Sequence, residues 1–516
     1  MSLVAVLLAL SPVIFVFLLL ILRRMAADTA GLIGWVFTVA VAWIFFDTPP
    51  LVALQASVSG IVASLPIALV VATSILQVTV MLETGAIARV VALVKTVAPG
   101  QRVVQIMLIN IGFGTLLTAL GAVPVSILPP ILLALGYSSF AAISLPALGY
   151  DALTTYALLG IPVVVFAGFV GRPIEDVGGY FARFMPVIST CIALGMVWLV
   201  GRWKLVWQGL LPTVIAGLTA GFICIAMNAL GLITLTGIAA GLGVILVMVI
   251  YLKARGQPLR DRSVLDANDR AAEQRMPLWA AASPWLLLTL FALLVNAPFL
   301  PFFDLAFYEL ALPLEIIPGA PERVRLFWQA YFWILVSTAL ALPFLKPTGR
   351  QLAVSLQKWA QRAPRPVLAA AVFFAMAYVI NHSGKGTDWV LADPNNNMVH
   401  VLATAAASGL GQMYPLVAPF LGLIGGFISG SETSSIAMLT ALHLETAGKI
   451  GAQGLLVAAA SGIGGGLASA ISPAKLQNAS ASIDRIGEES QVIRHTVVVA
   501  LAITAVTAIL TLLWAF

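Results

Sequence analysis

Within an otherwise apolar stretch from 416 to 442, the run Ser429-Gly430-Ser431-Glu432-Thr433-Ser434-Ser435 sets one carboxylate among hydroxyls and a glycine. Such a group can hold a proton, coordinate a hard cation or hydrogen-bond a small anion. It cannot face lipid, where an unpaired carboxylate and a row of hydroxyls cost several kcal/mol. A second acid, Asp151, is the only charge between Arg102 and Arg172, and Thr154, Thr155 and Tyr156 follow it closely. Lys475 lies two residues after Pro473, flanked by Ser472 and Asn478.

Each residue type has a matching chemistry. A desolvated Glu432 or Asp151 can take up a proton and carry it across if it is exposed alternately to the two sides. Lys475 supplies a point positive charge for a carboxylate, with Ser472, Asn478 and the N–H groups of a helix restarting after Pro473 completing the contact. Ser431, Thr433, Ser434 and Ser435, together with Thr118, Thr154, Thr155 and Tyr156, provide hydrogen bonds for a hydroxyl or carboxylate. The competing readings are structural: hydroxyls packing helix on helix, Asp151 capping the next helix, and Lys475 snorkelling to the interface. The packing reading leaves the buried charge of Glu432 unexplained.

The elements that position these groups are membrane helices. The 516 residues are 61% hydrophobic and 9% charged with 43 glycines, a composition of polytopic helical membrane proteins. The longest strongly polar stretch, Lys253 to Arg275, is too short to bury a core. The first segment, Leu3 to Leu22, is long enough to span and is followed by Arg23-Arg24, the reverse of a cleaved signal, so an uncleaved helix is expected. Cys191 and Cys224 lie in separate apolar segments and suggest neither a disulfide nor a metal site. His382, His400, His443 and His495 lack metal spacing, and Gly464-Gly465-Gly466 lacks the strand and lysine of a phosphate loop. No cofactor and no metal are expected, and the net charge of +6 requires no nucleic-acid partner.

Apolar stretches predict spans near 3–22, 29–47, 58–82, 183–200, 209–230, 232–252, 278–298, 326–345, 366–381 and 494–516, with interrupted apolar regions at 103–171 and 415–472. Together they predict roughly 12 to 14 crossings. Basic clusters at Arg23-Arg24, Arg202/Lys204, the loop 253–276 and Lys346 to Arg365 place those loops in the cytoplasm. The N-terminus and the loops 299–324 and 382–396 then fall outside, as solvated loops. The chain divides into N-terminal spanning helices at 1–82, a first broken-helix unit at 83–200, central scaffold helices at 201–381, and a second broken-helix unit at 382–516.

The two broken units share an order of features. In one, Glu83-Thr84-Gly85 ends a helix, an amphipathic stretch with Arg89 and Lys95 follows, then an apolar run with Phe113-Gly114-Thr115 and Thr118, then a polar break at Asp151 before Gly160-Ile161-Pro162. In the other, Asn381-His382-Ser383-Gly384 leads through a polar stretch to 427–435, then a break from Ser461 to Ser472-Pro473. Loop charge gives them opposite orientations, the sign of an inverted-repeat transporter with its site at the repeat interface.

These residues carry a family resemblance. Pro419-Phe420-Leu421-Gly422, the 429–435 run, Gly464-Gly465 with Ile471-Ser472-Pro473, and Gly487-Glu488-Glu489-Ser490 resemble the C-terminal signature of the L-lactate permease family. Phe113-Gly114, Pro124-Val125-Ser126-Ile127, Leu135-Gly136-Tyr137 and Gly160-Ile161-Pro162 resemble its first half. The resemblance implies uptake of lactate, glycolate or similar 2-hydroxymonocarboxylates with protons. It also implies kinship with carriers that pair a scaffold with a moving, elevator-type transport domain, often as homodimers. The chain departs from the family pattern where Thr118 replaces an acid, where Tyr150-Asp151 replaces an asparagine-threonine pair, and where Ser469 replaces a lysine while Lys475 appears after the Ile-Ser-Pro.

The expectation is therefore an all-α polytopic membrane protein with two inverted repeats of broken or re-entrant helices, in the inner membrane. It is expected to be a symporter of a small organic anion coupled to H+, with Na+ as the main rival ion and another carboxylate or sulfonate as the rival substrate. A channel or sensor is the alternative class. An enzyme is not expected, since no Ser/Lys or Ser/His dyad stands out at catalytic spacing.

Overall fold

The structure is a computed structural model that describes residues 3–23, 25–297 and 300–516. Twelve helical stretches among the described residues are long and apolar enough to cross a membrane, and shorter apolar helices lie between them. The expected spans at 278–298 and 326–345 are among the shorter ones, Ser283–Asn296 and Ala330–Leu345. The first is trimmed by a turn at Ala282 ahead of Pro284.

Two long helices form the central pair. After α1 (Leu3–Ile21) and α2 (Ala27–Phe45), α3 runs from Pro50 to Glu83. At one end, the Glu83 carboxylate pairs with Lys358 at 2.5 Å. At the other, the Gly384 N–H donates to Thr48 Oγ1 at 2.9 Å. These contacts place α3 antiparallel to the helix Pro364–His382. Their backbones nearly touch: a Cβ on Gly60 would sit 2.6 Å from the Phe374 carbonyl oxygen.

The first unit continues with the amphipathic α4 (Ala86–Lys95) and α5 (Arg102–Ala119), whose centre, Met107–Gly114, winds as a π-helix. Gly121, at φ +85°, reverses the chain into α6 (Pro124–Ala134). Tyr137 closes this antiparallel hairpin at its root, donating to the Arg102 carbonyl and to Gln105 Oε1. A broken helix follows: α7 (Ser139–Tyr150), a 3-10 turn over Asp151–Tyr156, and α8 (Ala157–Val170). At the start of α8, Leu158, Leu159 and Gly160 all have positive φ. A left-handed backbone costs a leucine roughly 1–2 kcal/mol, and such outliers gather at functional sites.

The middle of the chain comprises α9 (Ile174–Ala182), α10 (Met185–Gln208), α11 (Leu210–Ala229), α12 (Thr236–Ala254), α13 (Ala267–Arg275) and α14 (Ser283–Asn296). It ends in a hairpin of β1 (Leu312–Ile317) and β2 (Ala320–Val324), then α15 (Ala330–Leu345), α16 (Gly349–Arg362) and α17 (Pro364–His382). Within the basic loop, α13 folds back on α4 through Lys95–Asp269 at 2.8 Å and Arg89–Glu273 at 3.5 Å. The loop 299–324 departs from the solvated state expected of it. Glu322 on β2 is half-buried and accepts hydrogen bonds from Tyr378 at 2.6 Å and Ser59 at 3.0 Å, pinning the hairpin to α17 and α3.

The second stretch, 398–516, also places a hairpin before a broken helix. After α18 (Met398–Leu410), α19 (Tyr414–Ser429) and α20 (Glu432–Ile450) form an antiparallel hairpin around Gly430, at φ +68°. A second broken helix follows: α21 (Gly454–Leu467), a 3-10 turn over Ala468–Ala470, and α22 (Pro473–Ala481), before α23 (Glu489–Trp514). In both cases the broken helix packs against the first arm of the hairpin, Gly149 against Asn110 and Gly465 against Gly426, at an identical sequence separation. The first hairpin follows α4, which begins just after Glu83, whereas the second is tied at Glu445 to His400 in the first turn of α18, whose Met398 N–H donates to Ser383.

Candidate functional site

Glycines bring the second unit's backbones together. Any side chain on Gly422 or Gly426 would drive into the carbonyls of Ser461 and Gly465, and one on Gly464 into that of Pro419. Close approach of α19 and α21 sets the ends of both helices side by side, Gly430 beside Ser472: a Cβ on Gly430 would lie 3.5 Å from Ser472 Oγ. Beyond that level the hairpin restarts at Ser431, which caps α20 by accepting from the Ser434 N–H at 3.4 Å. Glu432 therefore occupies the first turn of α20, where the positive helix end favours a carboxylate.

Glu432 is 3% exposed and is met by the other unit. Thr155, in the break between α7 and α8, donates to its Oε1 at 2.7 Å. Its other oxygen, Oε2, has no hydrogen-bond partner among the described residues. Room for it exists because position 466 is glycine, where a Cβ would lie 2.7 Å from Oε2. Ser472 Oγ is likewise buried without a partner. Buried polar atoms left unpaired are costly, and here they adjoin the breaks of two helices. The geometry offers acceptor capacity to a proton, a cation or a solute hydroxyl.

Lys475, in the first turn of α22, donates to Ser469 Oγ and lies 3.7 Å from the centre of the Tyr150 ring. The ammonium thus reaches back in space to position 469.

The remaining sequence candidates divide. Thr154 is buried with Cβ 3.5 Å from the Cβ position of Gly466, and its hydroxyl bonds back to the Tyr150 carbonyl. Thr433 and Ser434 are buried in the same first turn of α20. Ser435 donates to the Gly422 carbonyl at 3.0 Å and so fastens the hairpin. Thr118 bonds back to the Gly114 carbonyl, within its own helix. Tyr156 is directed to α9 and α11, donating to the Gly178 carbonyl and accepting from Asn228 at 3.0 Å. Asn478 is exposed on α22. The side chain of Asp151 lies outside the described residues.

The sequence marked Tyr150 and Ser469 only as departures from the family pattern, and Gly466 only as a packing glycine. An aromatic ring beside the lone acid of a broken apolar region was the available signal for Tyr150. His443 was set aside for lack of metal spacing, yet it is fully buried between two hydroxyls, Tyr414 at 2.7 Å from Nδ1 and Ser461 at 2.7 Å from Nε2. A neutral imidazole serves both by donating at one nitrogen and accepting at the other, which locks α19, α20 and α21 together.

Apolar helices long enough to span, with a carboxylate buried between two helix breaks, mark a multi-pass membrane protein. The chain belongs to the L-lactate permease family, whose pattern matches residues 5–516. It is similar to the glycolate permease GlcA of Escherichia coli (strain K12), 27% identical over 99% of this chain and 95% of that protein. It is also similar to the L-lactate permease of the same strain, 26% identical over 98% of this chain and 95% of that protein. The L-lactate permease of Bacillus subtilis (strain 168) is 24% identical over 99% of this chain and 96% of that protein. The family is one of membrane permeases.

Proposed function

We propose that this protein is a proton-coupled carrier of a small 2-hydroxymonocarboxylate of the lactate or glycolate kind, acting in the inner membrane with its N-terminus outside. The observation that carries the reading is the Thr155–Glu432 hydrogen bond, which joins the breaks of the two units at a carboxylate with one oxygen unengaged. Lys475, oriented by Ser469 and the Tyr150 ring, supplies the charge that holds the substrate carboxylate. Ser472, Thr154 and the first turn of α20 supply hydrogen bonds to the substrate hydroxyl. Glu432 carries the coupling proton.

Two units that each set a hairpin before a broken helix support an inverted repeat, with the site at its interface. The paired hairpins and broken helices form the body that moves, in an elevator-type cycle, against the α3–α17 pair, within a homodimer. Oxygens unpaired at Glu432 and Ser472 favour Na+ as the second candidate for the coupling ion, because hard cations take oxygen ligands. Proteoliposome uptake of labelled lactate and glycolate under imposed gradients tests the reading. Accumulation driven by an inward H+ gradient and competed by 2-hydroxymonocarboxylates is expected. Accumulation driven by Na+ alone, or indifference to both substrates, would overturn it.

A further inference from the structure

A cavity of about 420 Å3 opens where α3, α13 and α15 end and α16 begins, far along the chain from the helix breaks. Its lining includes Arg275, Met276, Trp279, Phe344, Lys346 and Thr84. The acids around it are already matched: Glu83 to Lys358, Asp266 and Asp269 to Lys95, and Glu273 to Arg89 and Arg262. Neither Arg275 nor Lys346 has an acidic partner among the described residues, so the two cations of the lining lack a counter-charge. Trp279 and Phe344 are exposed and meet edge to face at 5.5 Å, giving the mouth an aromatic wall. The inner wall is fixed, since the Met276 carbonyl accepts from Arg89 at 3.2 Å and Gln351 is engaged by the Glu83 carbonyl at 2.7 Å.

The helices that end here are apolar up to Glu83 and Leu345, so the cavity lies at the level where a bilayer passes from acyl chains to headgroups. Basic residues that cap helix C-termini could account for Arg275 and Lys346 alone. They do not account for a cavity of this size with an exposed aromatic wall beside them. We propose that this cavity is a binding site for an anionic phospholipid, whose phosphate is held by Arg275 and Lys346 and whose upper acyl chain lies against Trp279 and Phe344. Basic pockets between spanning helices take headgroups by this combination of charge and apolar wall. The site is independent of the transported substrate.

Native mass spectrometry of the detergent-purified full chain, titrated with phosphatidylglycerol or phosphatidylcholine, tests the proposal. Tighter retention of phosphatidylglycerol by about tenfold is expected of the wild type. The preference should vanish in the double variant Arg275→Gln with Lys346→Asn, where asparagine tolerates the left-handed backbone at 346, φ +49°. Lys253→Gln, on an exposed cation outside the cavity, should retain it. A second readout is wild-type thermal stability, which phosphatidylglycerol should raise and inorganic phosphate should leave unchanged. Equal retention of the two lipids by the wild type, a preference undiminished in the double variant, or displacement of the lipid by inorganic phosphate would overturn the assignment.

Discussion

Thr155 Oγ1 lies 2.7 Å from Glu432 Oε1, joining residues 277 positions apart and closing the break of the first unit onto the hairpin of the second. Hydroxyl and carboxylate are both buried, so this contact is made without competition from solvent. The link sets polar groups of two distant stretches of the chain against each other.

Thr155→Val removes the one described donor to Glu432 while keeping the shape of the side chain. Hydrogen bonds to charged groups contribute roughly 1.5–3 kcal/mol, so substrate uptake should fall by about tenfold or more. Thr155→Ser should restore most of it. Initial rates in proteoliposomes check this, and full activity in Thr155→Val would remove the hydroxyl from the mechanism.

Lys475 and Ser469 can be exchanged. Lys475→Met should raise the apparent KM for the anion by about tenfold or more, the loss of one charge-assisted contact. Because the Lys475 ammonium reaches Ser469, the double variant Ser469→Lys with Lys475→Ser puts the charge back at nearly the same place. Its KM should return toward the wild-type value, and a KM no better than that of Lys475→Met would contradict the geometry.

Gly426 and Gly464 permit the backbone contact between α19 and α21. Gly426→Ala or Gly464→Ala should each destabilise the fold by about 1–3 kcal/mol through overpacking. Gly448→Ala, where the added methyl meets open space, should be neutral or slightly stabilising. Thermal unfolding in detergent separates the two cases.

Burial raises the Glu322 carboxyl above its ordinary 4.5, against the lowering effect of the Tyr378 and Ser59 hydroxyls. An acid whose folded pKa is raised favours the docked hairpin while protonated. That preference is fullest at low pH and is lost as pH rises from 4.5 through the raised value. Hydrogen exchange over 312–324, corrected for intrinsic rates, should show protection declining with pH across that window. Glu322→Gln should abolish the dependence, and a flat wild-type profile would contradict the assignment.

Much of the candidate site could be picked out in the sequence because an apolar background makes charge conspicuous. Glu432, Thr154, Thr155, Ser472 and Lys475 stood out against apolar neighbours, and the helix breaks at Gly430 and Ser472-Pro473 were marked by glycine and proline. Which of them converge was not legible, since the pairing of Thr155 with Glu432 depends on a packing of two distant units. Thr118, Ser435 and Tyr156 looked equivalent to the others by residue type, yet their hydroxyls are spent on Gly114, Gly422 and on Gly178 with Asn228. The left-handed turn at Leu158 and Leu159 runs against the preference of leucine, so no local signal announces it. The hairpin carrying Glu322 was hidden by its charges, which read as a solvated loop although one of them is half-buried against α3 and α17.

The central claim is that Glu432 couples the movement of the anion to that of a proton. The most direct measurement compares wild type and Glu432→Gln in proteoliposomes, for accumulation of labelled lactate or glycolate driven by an inward H+ gradient and for exchange at equilibrium. The account predicts that the variant loses gradient-driven accumulation and keeps exchange, because the substrate contacts at Lys475 and Ser472 remain. Accumulation by Glu432→Gln at the wild-type level would contradict it.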